Sequence, residues 1–169
     1  MDLDQPRYDV SEVALLAGIS VKFAANLTDR GLTDPYRYPE VGRRGRGRAR
    51  RYCLRDALHF ALVAELTERF RLPISYCRTL CWVAFSDSFS PGHRGFYFVN
   101  RLSNHPGSAG ASLSLLTEPQ LFERIKQQGT RPCFILNPGA IYDKVAQNAE
   151  KLVVDKERDQ QGQHYVLAY

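Results

Sequence analysis

The chain lacks most of the features that would assign it to a membrane, an oxidising compartment or a common enzyme class. No window holds the roughly 18 consecutive apolar residues of a membrane span. Cysteine is sparse: four residues (53, 77, 81 and 133) at irregular spacing give no disulfide framework and suit reduced thiols in a cytoplasm. The acidic start Met1-Asp-Leu-Asp does not fit a secretory leader. Gly107-Ser-Ala-Gly-Ala-Ser is rich in small residues but lacks the Gly-Lys-Ser/Thr end of a phosphate-binding loop. Neither Gly-x-Ser-x-Gly nor His-Glu-x-x-His occurs. There is no internal repeat. These absences point away from catalysis, and no cofactor or metal is implied.

What the chain does have is Arg43–Tyr52, which carries six arginines at positions 43, 44, 46, 48, 50 and 51. Removing these six cations from a formal charge of +5 leaves −1, so the basicity is local. From Arg44 to Arg50 arginine alternates with Gly or Ala. In an extended chain that alternation places Arg44, Arg46, Arg48 and Arg50 on one face. No core can bury such a face, because unpaired buried charge is very costly. It needs a polyanion or bulk water.

Upstream, Ser11 is placed to cap a short helix with Val13, Ala14, Leu16 and Ala17 inward, and Gly18 supplies a left-handed stop. Ser20 caps a second helix, Val21–Arg30, ended by Gly31. The pair reads as a helix-turn-helix. Val21, Ala24 and Leu27 turn inward, leaving Lys22, Phe23, Asn26 and Arg30 outward. In a DNA groove Phe23 can meet a thymine methyl and Asn26 an adenine edge. Thr33–Pro39 and the arginine run then form the arms and tip of a β-hairpin closed by Tyr52. A third helix over about Leu54–Phe70 repeats Leu54, Leu58, Leu62, Leu66 and Phe70 every four residues. Pro73 starts a fourth, with Ile74, Cys77, Leu80 and Cys81 on one face.

Val10-Ser-Glu-Val-Ala-Leu-Leu-Ala-Gly-Ile-Ser, Gly31-Leu32, a proline-containing arm, Arg50-Arg51-Tyr52 and Asp56 together resemble the MerR-type and excisionase-like winged helix-turn-helix domain, over residues 8–80. That resemblance implies duplex-DNA binding by a recognition helix and a β-hairpin wing. Where the family carries Thr-Leu-Arg-Tyr-Tyr, this chain reads Phe23-Ala24-Ala25-Asn26-Leu27, which shifts the expected contacts toward a longer and more basic wing.

A duplex presents one phosphate about every 1.7 Å, so an arginine ribbon gains by releasing counterions. Arg-Gly-Arg-Gly-Arg is similar to the core of AT-hook peptides, which favours a narrow, A/T-rich minor groove. The expected DNA-binding residues are Ser20, Lys22, Phe23, Asn26, Arg30, Arg43, Arg44, Arg46, Arg48, Arg50, Arg51 and Tyr52. The expected role is that of a cytoplasmic, nucleoid-associated regulator of bacterial or phage type, in transcription or recombination. It would bind as a dimer or in tandem, because one helix and one wing bury little surface.

Ser86–Gly95 is a composition break and sets two domains, 8–86 and 94–169. Beyond it a strand (96–102), a helix capped by Thr117, a strand (132–137) central in a sheet, a helix after Asn137-Pro138 to about Lys151 and a strand at 164–169 give β-α-β-α-β. The whole reads as α+β: a four-helix winged helix-turn-helix followed by a small α/β domain of unknown role. Two other readings stay open at this point. The C-terminal half can serve as a protein-binding adaptor or anti-activator. His93 and His105 with Asp87 or Asp143, or Cys77 and Cys81 with His93 on zinc, can mark a site, although solvated loop histidines and buried free thiols explain the same residues.

Overall fold

A computed structural model of the 169-residue chain describes residues 3–32, 50–74, 77, 96–101, 111–128 and 133–166. The contacts divide it into two compact units, Met1–Ala61 with Asp143–Tyr169, and Leu62–Tyr142. The divisions fall within residues 54–68 and 138–166, both helical.

In the first unit, α1 (Val10–Ala17) and α2 (Val21–Asp29) are joined by three residues, and the chain turns through 106° between them. The cap of α1 is Asp9 rather than Ser11. Its carboxylate accepts from the amides of Ser11 (2.8 Å) and Glu12 (2.9 Å), while Glu12 Oε2 accepts from the Asp9 amide (2.8 Å). That reciprocal capping box satisfies three amide donors at one helix start. Gly18 ends α1 at φ 70°, the left-handed region that a side chain resists. Val13, Ala14, Leu16 and Ala17 are buried, as are Ala24 and Leu27 of α2. Val21, expected inward, is 45% exposed. At 100° per residue it lies about 120° round the helix from Leu27, at the margin of the packed face.

Helix α3 (Leu54–Glu68) is buried on nearly every side. Its Leu54, Leu58, Leu62 and Leu66 stripe has no member more than 2% exposed. Asp56, buried in its first turn, accepts from the Cys53 amide (2.9 Å) and thiol (3.3 Å). Of the fourth expected helix only Ile74 and Cys77 are described, both helical.

The second unit holds three short strands, β1 (Phe96–Arg101), β2 (Ala111–Leu116) and β3 (Cys133–Leu136), in the order β2-β1-β3. Both pairings are antiparallel, Phe96 opposite Leu116 and Tyr97 opposite Leu136. The central strand is β1, not the 132–137 segment. Helix α4 (Glu118–Gln128) packs on β1 and β2. It starts at Thr117, whose carbonyl accepts from Leu121 and whose amide donates to Gln120 Oε1 (2.9 Å).

Asn137 caps α5 (Pro138–Val166), its Oδ1 accepting from the Ala140 amide at 3.2 Å. This helix is 29 residues long and takes in residues 164–166, the described part of the segment expected to form the last strand. Residues 155–163 are rich in Lys, Glu, Arg and Gln, which favour helix without needing an apolar face. From Asp143 onward α5 belongs to the first unit and braces α1. Asn148 Nδ2 donates to the carbonyls of Leu15 (3.2 Å) and Leu16 (3.0 Å), and Lys156 pairs with Glu12.

The expected fold class is therefore overturned. The described residues are mainly helical, five helices against three short strands, and their order from β1 onward is β-β-α-β-α. No β-hairpin wing occurs among the described residues. The one strand-like contact of the first unit is an isolated bridge between Tyr8 and Tyr52. There the Tyr52 amide donates to Tyr8 (2.7 Å), and its carbonyl accepts from Arg7 and Tyr8 (both 3.0 Å). Both main-chain groups of Tyr52 are used by the N-terminal segment, and the expected hairpin arms and tip at residues 33–49 lie outside the described residues.

Candidate nucleic-acid interface

Ser20 sits at the start of α2 in an extended conformation, and its Oγ accepts from the Phe23 amide at 3.2 Å. Main-chain groups at a helix start attract anions, and a capping hydroxyl still has its own hydrogen to donate. Lys22, Asn26 and Arg30 are exposed along the outer side of α2, and Phe23 is half-buried. Phe23 is thus neither a pure core residue nor a fully presented contact. Arg30 Nε donates to Asn26 Oδ1 (2.8 Å). Bidentate reading of adenine uses both the oxygen and the nitrogen of an asparagine amide. The bond from Arg30 uses one of the two lone pairs of Asn26 Oδ1, and the Nδ2 donors are separate from it.

The arginine run meets this helix at its C-terminal root. Arg43, Arg44, Arg46 and Arg48 lie outside the described residues. Arg50 is half-buried, with its guanidinium carbon 5.5 Å from the centre of the Tyr52 ring. Arg51 is exposed and donates weakly to the Arg7 carbonyl at 3.5 Å. Tyr52 is 3% exposed, so it is a structural member of the site and not a surface contact. Its ring meets Phe60 edge-on, and its hydroxyl lies 3.0 Å from Thr28 Oγ1 in the last turn of α2. Sequence reasoning missed Thr28, Arg7 and Tyr8, the residues that fasten this root.

The other candidate chemistries find less. His93, His105, Asp87 and Cys81 lie outside the described residues, and Asp143 is exposed. Cys77 is buried, and burial pushes its thiol up to about 11, which suppresses the thiolate that would bind metal or attack a substrate. Among the described residues no group of three His, Cys, Asp or Glu is placed to hold a metal ion. Among them, too, no single helix is long and apolar enough to cross a membrane. No protein-family model matches the chain, and a search of curated proteins finds no match either.

Proposed function

We propose that this protein is a duplex-DNA-binding regulator that sets α2 in the major groove and lays the arginine-rich segment along neighbouring phosphates. The observation that carries the reading is the Thr28–Tyr52 hydrogen bond, which fixes the root of the arginine run against the end of α2. With it go the tight turn between α1 and α2 and the exposed row Lys22, Asn26 and Arg30. Two short helices at roughly 90–120° are the usual frame of a DNA-reading motif. A role in transcription or in recombination uses the same contacts. Binding as a dimer or in tandem supplies the surface that one short helix cannot.

The test is a titration of fluorescent A/T-rich and G/C-rich duplexes across a range of salt concentrations. The wild type should bind with a steep salt dependence and prefer A/T-rich duplexes. Changing Arg44, Arg46 and Arg48 together to Ala should flatten the slope by about 0.9 per lost phosphate contact. Absence of salt-dependent duplex binding by the wild type overturns the proposal.

A further inference from the structure

We infer that Arg7 and Arg51 form a fixed phosphate clamp at the root of the arginine-rich segment, gripping the backbone of the bound duplex. This rests on the duplex-binding reading above. Arg7 precedes the helix-turn-helix and belongs to no basic run, so no sequence pattern marks it.

The clamp is built on two aromatic residues. Tyr8 and Tyr52 are 7% and 3% exposed and are joined by three main-chain hydrogen bonds of 2.7–3.0 Å, one of them from the Arg7 amide. Their rings serve as platforms: the Arg7 guanidinium carbon lies 4.9 Å from the Tyr8 centroid, and that of Arg50 lies 5.5 Å from the Tyr52 centroid. Held against the Tyr8 ring, the exposed Arg7 guanidinium loses less freedom on binding an anion. Arg51, also exposed, reaches across the bridge to the main-chain carbonyl of Arg7 (3.5 Å).

Among the described residues, the acids nearest Arg7 in sequence have partners of their own. Asp4 takes a two-point contact from Arg55 (2.7 and 3.1 Å). Asp9 caps α1, and Glu12 pairs with Lys156 and the Asp9 amide. Arg7 and Arg51 thus face solvent as an exposed cationic pair on a rigid base. A phosphate suits the forked donors of guanidinium, and in sequence Arg51 ends a run of six arginines. Contacts to phosphate set position and not sequence. Because Tyr52 is bonded to Thr28, a phosphate fixed here fixes the register of α2 as well.

The test uses the full chain, the same fluorescent duplexes and a salt series. Arg7→Gln should weaken binding on the order of tenfold and lower the salt slope by about 0.9. Arg7→Lys should keep the slope and recover only part of the affinity, because lysine lacks the planar fork. Arg69→Gln removes one charge from an exposed arginine paired with Glu65 and should leave binding unchanged. Arg51→Gln is a second, independent variant at the clamp and should match Arg7→Gln. Unfolding midpoints equal to wild type confirm that both exposed side chains were removed without loss of fold. Wild-type slope and affinity in both Gln variants, alongside a loss in the Arg44/Arg46/Arg48 variant, overturns the clamp and leaves the duplex reading standing. Failure of the wild type to bind duplex overturns both.

Discussion

Thr28 and Tyr52 share a hydrogen bond of 3.0 Å across 24 residues of sequence, joining the last turn of α2 to the end of the arginine run. The direction of that bond follows from proton counting. Thr28 Oγ1 already donates its single hydrogen to the Ala24 carbonyl (3.0 Å), so Tyr52 is the donor and Thr28 the acceptor. The arrangement makes one phenolic hydrogen responsible for the position of a cationic segment beside a helix.

Tyr52→Phe tests this directly. It removes the donor, while the edge-on contact with Phe60 stays available. The expected loss is about 1 kcal/mol of unfolding free energy, the usual worth of a neutral hydrogen bond. Urea denaturation should show a lower midpoint with an unchanged slope. A midpoint equal to wild type would mean that the bond contributes nothing to holding the segment.

Asp9, and not the expected Ser11, caps α1. Asp9→Ala removes the acceptor for two amides and breaks the capping box, at about 1 kcal/mol. Ser11→Ala removes an exposed hydroxyl from inside the helix and should stay within about 0.5 kcal/mol of wild type. Parallel thermal melts settle it. A larger loss from Ser11→Ala than from Asp9→Ala would reverse the assignment.

Much of the first unit was legible because its signals are local. Gly18 and Gly31 both sit at φ 70°, Ser20 caps α2, and the leucines of the four-residue repeat are fully buried. Ser11 is the expected cap of α1; the cap is Asp9, whose pairing with Glu12 sequence reasoning missed. The misread parts depend on distant partners or on competing propensities. Tyr52 ends a run that reads as a hairpin arm, yet its main-chain groups pair with Tyr8, a choice no local pattern encodes. Arg7 escaped notice for the same reason. In α5 the apolar periodicity fades after Leu152, but helix propensity carries the element to Val166. The short apolar segment 133–136 looked central, and strand order placed β1 there instead.

Asn148 gives a test of long-range bracing, since it lies more than 130 residues from its partners. Its amide serves two carbonyls at the end of α1, that of Leu15, which also accepts from the Gly18 amide (3.1 Å), and that of Leu16. Asn148→Ala should cost about 1–2 kcal/mol, because one side chain supplies two bonds. The same variant should speed hydrogen exchange in α1 more than in α4, which lies in the other compact unit. Equal acceleration in both helices would show a general loss of stability and no local brace.

Cys77 predicts a dependence on alkaline pH. Burial raises its thiol from 9.0 in the unfolded chain to about 11 in the folded one. Between those values the unfolded state loses a proton that the folded state keeps, so unfolding becomes easier as pH rises. The contribution of this group is fully present below pH 9.0 and is lost progressively between about 9 and 11. Lysines and tyrosines titrate over the same range, so the quantity to measure is the difference between wild type and Cys77→Ala. The wild type should lose stability more steeply from pH 9 to 11 than the variant, and the two curves should run parallel below pH 8. Thiol labelling gives a second readout: at pH 8 the folded protein should react at Cys77 far more slowly than the urea-unfolded chain, because the thiolate is the reacting form. Parallel stability curves throughout, or rapid labelling of Cys77 in the folded protein, would show that this thiol is not held protonated by burial.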